Sequence, residues 1–473
     1  VRSKVILVVI AVLVIGAIAF HLLDDQTDMD DLNTLIRAES QRETEQNSRQ
    51  QRLADFDTLA RQGKGQQLPD GLITNRDPSG FWFVGKPGSD VGVEIPFQPG
   101  STPAPPPQLQ PVHENPGFLG AQACQACHPK VYETFVETAH HLTSRPASDE
   151  SLAGSFEPGR NRMKTRDDNV SFEMIRRDGK HYQRTSFFDW QFEIPFHIVT
   201  GSAKMAQTFV YWHASQLYQM NVSYLTEKDA WINSPGFVDG DAAYARPIGR
   251  RCLECHTTYI DFRGSPNRFT HGTLIYGISC ERCHGPGREH VEYHQQNPEA
   301  TIAKFVTVPS DLPREPQLDV CSQCHSGITK LKGDPYQFRP GDRLLDHYDP
   351  PEDPNDSGSV HTSNQAARLA LSGCFTESEM TCVDCHNPHR KERGDKVLFS
   401  ERCLKCHQTS ECGMESKLGE RLSENCIDCH MPSRASDKLH LDTAEGRVFP
   451  ALRDHNVRVD REATEDYLKS LAK

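Results

Sequence analysis

The chain has 473 residues, 65 acidic against 52 basic, for a net charge of −13 and a pI near 5.9. An acidic chain lacks the basic face that phosphate backbones require, which excludes nucleic acid as a partner. Counted with Gly and without Tyr, its apolar residues reach about 40%, below the usual 45–50% of soluble domains, so bound apolar groups are expected to complete the core.

Val5 to Leu23 is apolar except for His21 and long enough to span a membrane. Arg2 and Lys4 precede it, and Asp24, Asp25, Asp28, Asp30 and Asp31 follow, an N-terminus-inside pattern. Two outcomes stay open: a retained N-terminal membrane helix over 1–23, or a signal segment cleaved after Ala17-Ile18-Ala19. Both place the body on the extracytoplasmic, periplasmic side, anchored to the cytoplasmic membrane or secreted.

Residues 24–62 are polar and helix-prone, with apolar stripes at Leu32, Leu35, Ile36, Leu53, Phe56 and Leu59, and read as a solvated stalk. Residues 63–112 are dense in Gly and Pro and end in Pro103-Ala104-Pro105-Pro106-Pro107, the composition of a semi-rigid linker. A small strand pair fits Phe81–Val84 and Val91–Val93. Residues 113–251 form a first motif-bearing region with a β insertion. There Val170–Ile175 alternates, Asp178-Gly179 signals a hairpin, and Thr208–Trp212 and Tyr218–Tyr224 suggest a second strand pair. Residues 252–460 hold the other motifs, and 461–473 form a C-terminal tail.

Fourteen of the 16 cysteines fall into seven copies of Cys-x-x-Cys-His. The copies are Cys124/Cys127/His128, Cys252/Cys255/His256, Cys280/Cys283/His284, Cys321/Cys324/His325, Cys382/Cys385/His386, Cys403/Cys406/His407 and Cys426/Cys429/His430. This spacing lets two thiols add to the vinyl groups of one haem and swings the adjacent histidine under its iron as the proximal ligand. Zinc sites need two Cys pairs per metal and no histidine directly after each. Seven covalent haem c groups, with their iron, are therefore expected.

Fifteen further histidines remain for the sixth iron position, enough for bis-His ligation throughout. The distal candidates are His140 or His141, His213, His290, His361, His389 and His455, with His271 and His347 behind them. Cys374 and Cys412 lie outside every motif, and in an oxidising compartment a disulfide between them is expected.

Gly277–His290, Val320–Ser326, Met380–His389 and Cys426–Pro432 resemble a bacterial multihaem cytochrome family. That family is related to the tetrahaem cytochrome c of ammonia oxidisers and, more distantly, to hydroxylamine oxidoreductase and pentahaem nitrite reductase. The resemblance spans about residues 117–460. It implies a mainly α body with long loops, haems stacked in parallel and perpendicular pairs as the core, and His290 and His389 as distal ligands. The Cys-x-x-Cys-Lys motif of the nitrite reductases is missing from this sequence.

The expected function is electron transfer by a membrane-tethered heptahaem cytochrome. Its partners would be other redox proteins or a quinol-linked donor; an oligomer is allowed, with no stoichiometry fixed. The alternative is a multihaem oxidoreductase acting on a small nitrogen or sulfur compound at one open haem. Tyr211, Tyr224 and His213 are its candidates for proton handling, and no catalytic residue is assigned.

Overall fold

The computed structural model describes residues 57–58, 61–63, 65–76, 80–264, 267–327, 330–350, 360–436 and 439–471. The segment read as a membrane span, 1–23, and nearly all of the stalk, 24–62, lie outside the described residues. Among the described residues no helix is long and apolar enough to cross a membrane, so the expected membrane helix has no support here.

The mainly α expectation is corrected: the protein is 29% helix and 23% strand. The strands form three substantial sheets, all before residue 244. The first has the order Gln66–Gln67, Ile73–Arg76, Trp82–Gly85, Gly92–Ile95 and Ala242–Ala243, antiparallel except for the last strand. The second is a meander of Arg162–Lys164, Val170–Arg177, Lys180–Phe187 and Trp190–Pro195. The third has the order Ala230–Asn233, Val222–Leu225, Ala206–His213, Ile198–Thr200 and Ser144–Pro146, with Gln216–Gln219 also paired to Ala206–His213.

What the sequence suggests is a small insertion is thus the main hydrophobic core. Val84, Val93 and Ile95 of the first sheet, with Leu72 just before its second strand, pack with Phe172, Met174 and Phe187 of the second and Phe209, Tyr211 and Trp231 of the third. The strand Ala206–His213 faces two cores, because successive side chains point to opposite faces. Phe209 and Tyr211 enter this cluster, while Val210 and Trp212 enter a second one with Leu253, Tyr259, Phe262 and Tyr336. That second cluster carries the helix Arg250–His256, which bears the second motif. The expectation of a core made of haems alone does not hold for the β region, whose buried centre is aromatic and aliphatic protein.

The stretch 63–112 contributes four strands to the first sheet, including the pair at Trp82–Gly85 and Gly92–Ile95. Its Pro-rich end is bound to the body. Ala104 donates its N–H to His213 Nδ1 (3.0 Å), and the buried Asp261 carboxylate accepts the N–H groups of Val112 (2.8 Å) and His113 (2.9 Å). Beyond residue 250 most helices are short; Arg314–His325, with 12 residues, and Arg461–Leu471, with 11, are the longer ones.

Candidate cofactor-attachment sites

In a Cys-x-x-Cys-His motif the histidine follows the first cysteine by four residues and the second cysteine follows it by three. One α-helical turn therefore puts all three on one face. The structure builds that turn. The histidine N–H donates to the first cysteine's carbonyl in the motifs starting at Cys124, Cys280 and Cys382 (2.9 Å each) and at Cys403 and Cys426 (3.1 Å each). The motifs at Cys252 and Cys321 lie within the helices Arg250–His256 and Arg314–His325.

The motif cysteines differ in exposure. Cys127, Cys252 and Cys406 are exposed, while the other motif thiols are half-buried. The reason is local. Cys127 sits in the turn between the 3₁₀ helix Ala121–Cys124 and the helix Pro129–Phe135, and Cys406 in the turn that ends the helix Lys396–Cys403. Turns run over the surface, where their backbone groups meet water, and they carry these two side chains with them. Cys252 lies in the first turn of Arg250–His256, whose buried face is carried by Leu253 and Glu254.

Four motif histidines anchor Nδ1 from behind. His284 Nδ1 donates to the Thr307 carbonyl (2.8 Å), His325 to that of Thr362 (2.8 Å) and His430 to that of Arg458 (3.0 Å). His256 Nδ1 lies 2.9 Å from Thr143 Oγ1. A carbonyl only accepts, so Nδ1 holds the proton and the Nε2 lone pair is left for a metal. Thr143, Thr307, Thr362 and Arg458 carry no sequence signal for this role, since three of them act through the backbone.

Four motif histidines also face a second imidazole. His128 and His290 have ring centres 6.4 Å apart, with planes at 19°. His284 and His389 are 6.1 Å apart at 14°, and His386 and His455 are 6.1 Å apart at 21°. His325 and His140 are 6.2 Å apart at 74°. Two metal–nitrogen bonds of about 2 Å, each followed by roughly 1.1 Å from nitrogen to ring centre, span about 6.2 Å. These gaps therefore fit one iron between two imidazoles.

The surroundings fit as well. Burial lowers the pKa of His140 and of His455 to about 4, and that of His386 and His389 below the usual histidine value. Burial thus keeps these rings neutral, the form that binds metal. Arg145, Arg250, Arg282 and Arg434 each bury an Nε with no hydrogen-bond partner. Buried donors are ordinarily satisfied, so unmatched ones suit a bound group that brings its own acceptors.

The attachment points adjoin one another. Thiols of different motifs are close neighbours at Cys124 and Cys280, Cys255 and Cys324, Cys321 and Cys382, and Cys403 and Cys426. Glu281, between the thiols of the third motif, fastens the first. Its carboxylate accepts the N–H groups of Leu119 (2.8 Å) and Gly120 (2.7 Å). Just before it, Gly277 has φ +65, and a Cβ there would lie 2.2 Å from the His141 carbonyl oxygen. This close approach lets Ile278 donate its N–H to the His140 carbonyl (3.0 Å) and holds His140 in place.

The other singled-out residues fall elsewhere. His141 packs its ring against Phe135 (5.8 Å). His213 stands beside Phe97 (5.7 Å) and accepts the Ala104 N–H, and His361 bonds Ser363 Oγ through Nδ1 (2.7 Å). His347 lies 2.9 Å from Asp342, and His271 packs on Trp212. The Tyr211 hydroxyl donates to the Tyr244 carbonyl (2.5 Å) and that of Tyr224 to Asp229 Oδ1 (2.5 Å), so both are engaged in structural bonds rather than open for proton transfer. The expected disulfide is not formed: Cys374 lies near Cys385, and Cys412 near Cys429.

The family described as cytochrome c554 and c-prime matches residues 209–285, which include the second and third motifs. The multiheme cytochrome MtrA of Shewanella baltica is 28% identical over 196 residues, 36% of this chain and 55% of that protein. Cytochrome c-552 of Parabacteroides distasonis is 23% identical over 227 residues, 42% of this chain and 43% of the relative. The dissimilatory sulfite reductase MccA of Wolinella succinogenes is 21% identical over 220 residues, 36% and 30%. The chain spans about half or less of the length of these relatives. Among solved structures, the outer cell wall cytochrome OcwA aligns with a TM-score of 0.47 and 17% identity, over 72% of this chain and 80% of its own. The repeated attachment turn, the family match and the similarity to MtrA and cytochrome c-552 together support a multihaem c-type cytochrome with covalently bound haem c as its cofactor.

Proposed function

We propose that the chain is an extracytoplasmic electron-transfer protein that attaches seven haems and passes electrons between other redox proteins. The observation that carries this reading is the set of four imidazole pairs at 6.1–6.4 Å. His128, His284, His325 and His386 would hold iron from the motif side and His290, His389, His140 and His455 from the facing side, while His256, His407 and His430 would be the motif ligands of the other three haems. Each haem, when bound, supplies a one-electron ferric–ferrous couple.

The chain's own residues do the rest. The backbone carbonyls of Thr307 and Thr362 hold the rings of His284 and His325 in one tautomer and orientation, which raises their basicity as ligands. An imidazole on each side of the metal position leaves no place there for a small molecule, which suits transfer rather than substrate chemistry. Thiols of different motifs are neighbours, so the attachment points are close together, as a relay needs.

Intact mass and electron paramagnetic resonance of the mature protein test this reading. The mass should exceed that of the chain by seven haems, and the four paired sites should give low-spin ferric signals. A lower haem load, or mainly high-spin iron, overturns it.

A further inference from the structure

Three motifs send a polar residue from between their thiols into the interior. Glu254 of the second motif is 0% exposed, Arg282 of the third 4% and Gln323 of the fourth 3%. These residues meet. Arg282 Nη2 donates to Gln323 Oε1 (2.8 Å) and reaches the Glu254 carbonyl (3.4 Å). Gln323 Nε2 returns bonds to the carbonyls of Arg282 (3.1 Å) and Val320 (2.7 Å). Arg251 donates to Glu254 Oε2 (2.7 Å) and to the Gln323 carbonyl.

Two tyrosines close the cluster. The Tyr348 hydroxyl donates to Glu254 Oε1 (3.0 Å), and the same oxygen accepts the Tyr336 N–H (2.8 Å). The Arg282 guanidinium lies 5.4 Å from the centre of the Tyr336 ring, and that of Arg251 lies 4.7 Å from the Tyr348 ring. Two guanidinium groups against one carboxylate leave the knot one positive charge in excess. Charge in the interior is weakly screened and is felt strongly by its neighbours.

We propose that this knot locks the second, third and fourth attachment segments against one another and raises the reduction potentials of the haems bound there. The proposal rests on the electron-transfer reading above. Its physical basis is that reduction of ferric to ferrous iron removes one positive charge, so a fixed cation nearby favours the reduced form. Arg282 is the positioning residue, since its guanidinium reaches from the third motif to both the second and the fourth.

The test compares redox titrations, followed by visible absorption, of holoproteins with wild-type haem mass. Arg282→Gln removes the charge and should move part of the titration to lower potential while the rest stays in place. Arg282→Lys keeps the charge without the planar fork and should fall between the two curves. Gln323→Glu sets a negative charge against Arg282 in nearly the same shape and should also lower part of the curve. Curves for Arg282→Gln or Gln323→Glu that superimpose on the wild type overturn the proposal. The wild type's own haem mass and titration judge the relay reading; only the difference between variant and wild type judges the knot.

Discussion

The imidazole of His140 lies across a 6.2 Å gap from that of His325, with the two planes at 74°, while the other three imidazole pairs are within 14–21° of parallel. The relative orientation of two axial rings splits the iron d orbitals, so the His140–His325 site should give a low-spin resonance of different shape from the other three. His140→Ala should remove that signal and leave one iron high-spin. His290→Ala, His389→Ala and His455→Ala should each remove one signal of the other type. His213→Ala and His361→Ala should leave every spin state unchanged; a new high-spin signal from either would break the ligand assignment.

The hydroxyl of Thr143 stands 2.9 Å from His256 Nδ1. Accepting from that nitrogen makes the imidazole a stronger donor to ferric iron. Thr143→Val keeps the shape and removes the oxygen. One midpoint potential should rise, with the haem count constant by mass. An unchanged redox titration would show that the hydroxyl does not act on the ligand.

In the β core the Tyr244 hydroxyl donates to Gln183 Oε1 (2.6 Å) and pairs with Thr185 Oγ1 (2.7 Å), with all three side chains 0% exposed. Tyr244→Phe would leave two buried polar groups without this partner, at a cost of about 1–3 kcal/mol. Denaturant unfolding followed by tryptophan fluorescence should show the loss, since Trp231 lies in the same cluster. The visible haem spectrum of the folded variant should stay as in the wild type.

Asp261 links the Pro-rich stretch to the body by pH. Burial pushes its carboxyl pKa up, but hydrogen bonds from Thr270, Val112 and His113 outweigh this and hold it below the ordinary aspartate value. A carboxylate with a depressed folded pKa adds stability that is complete above its unfolded pKa of about 3.9 and is lost as the pH falls through the folded value. Hydrogen exchange at residues 103–113 should be slow at neutral pH and speed up below about pH 4. Asp261→Asn should show the fast exchange already at neutral pH. Equal protection in both proteins would remove Asp261 from this role.

The attachment sites were legible in the sequence because their chemistry is local: Cys, Cys and His within five residues specify the turn and the face. How deep each turn lies was not legible, since the same motif half-buries Cys124 and exposes Cys127 and Cys406 according to the helices that flank it. The pairing across each gap was hidden too, since nothing in the chain near His325 points to His140; a backbone contact between Ile278 and His140 helps set it. The β body was legible in its long strands, where Val170–Arg177 alternates buried and half-buried residues over its first six positions. Its extent was hidden because strands such as Gly92–Ile95 and Ile198–Thr200 are three or four residues long and flanked by Gly or Pro. The motif does not say which of the residues between its thiols face inward, and only the tertiary fold buries Glu254, Arg282 and Gln323.

In the proposed ligand set, the distal histidines of the first, third and fifth motifs follow the third, fifth and seventh motifs in turn, at His290, His389 and His455. As the polypeptide emerges from its N-terminus, each of these sites waits for a stretch made two motifs later, while the fourth finds His140 already synthesised. With that ligand set, completion would run like lacing, and a chain stopped short of residue 455 would leave its fifth eyelet open.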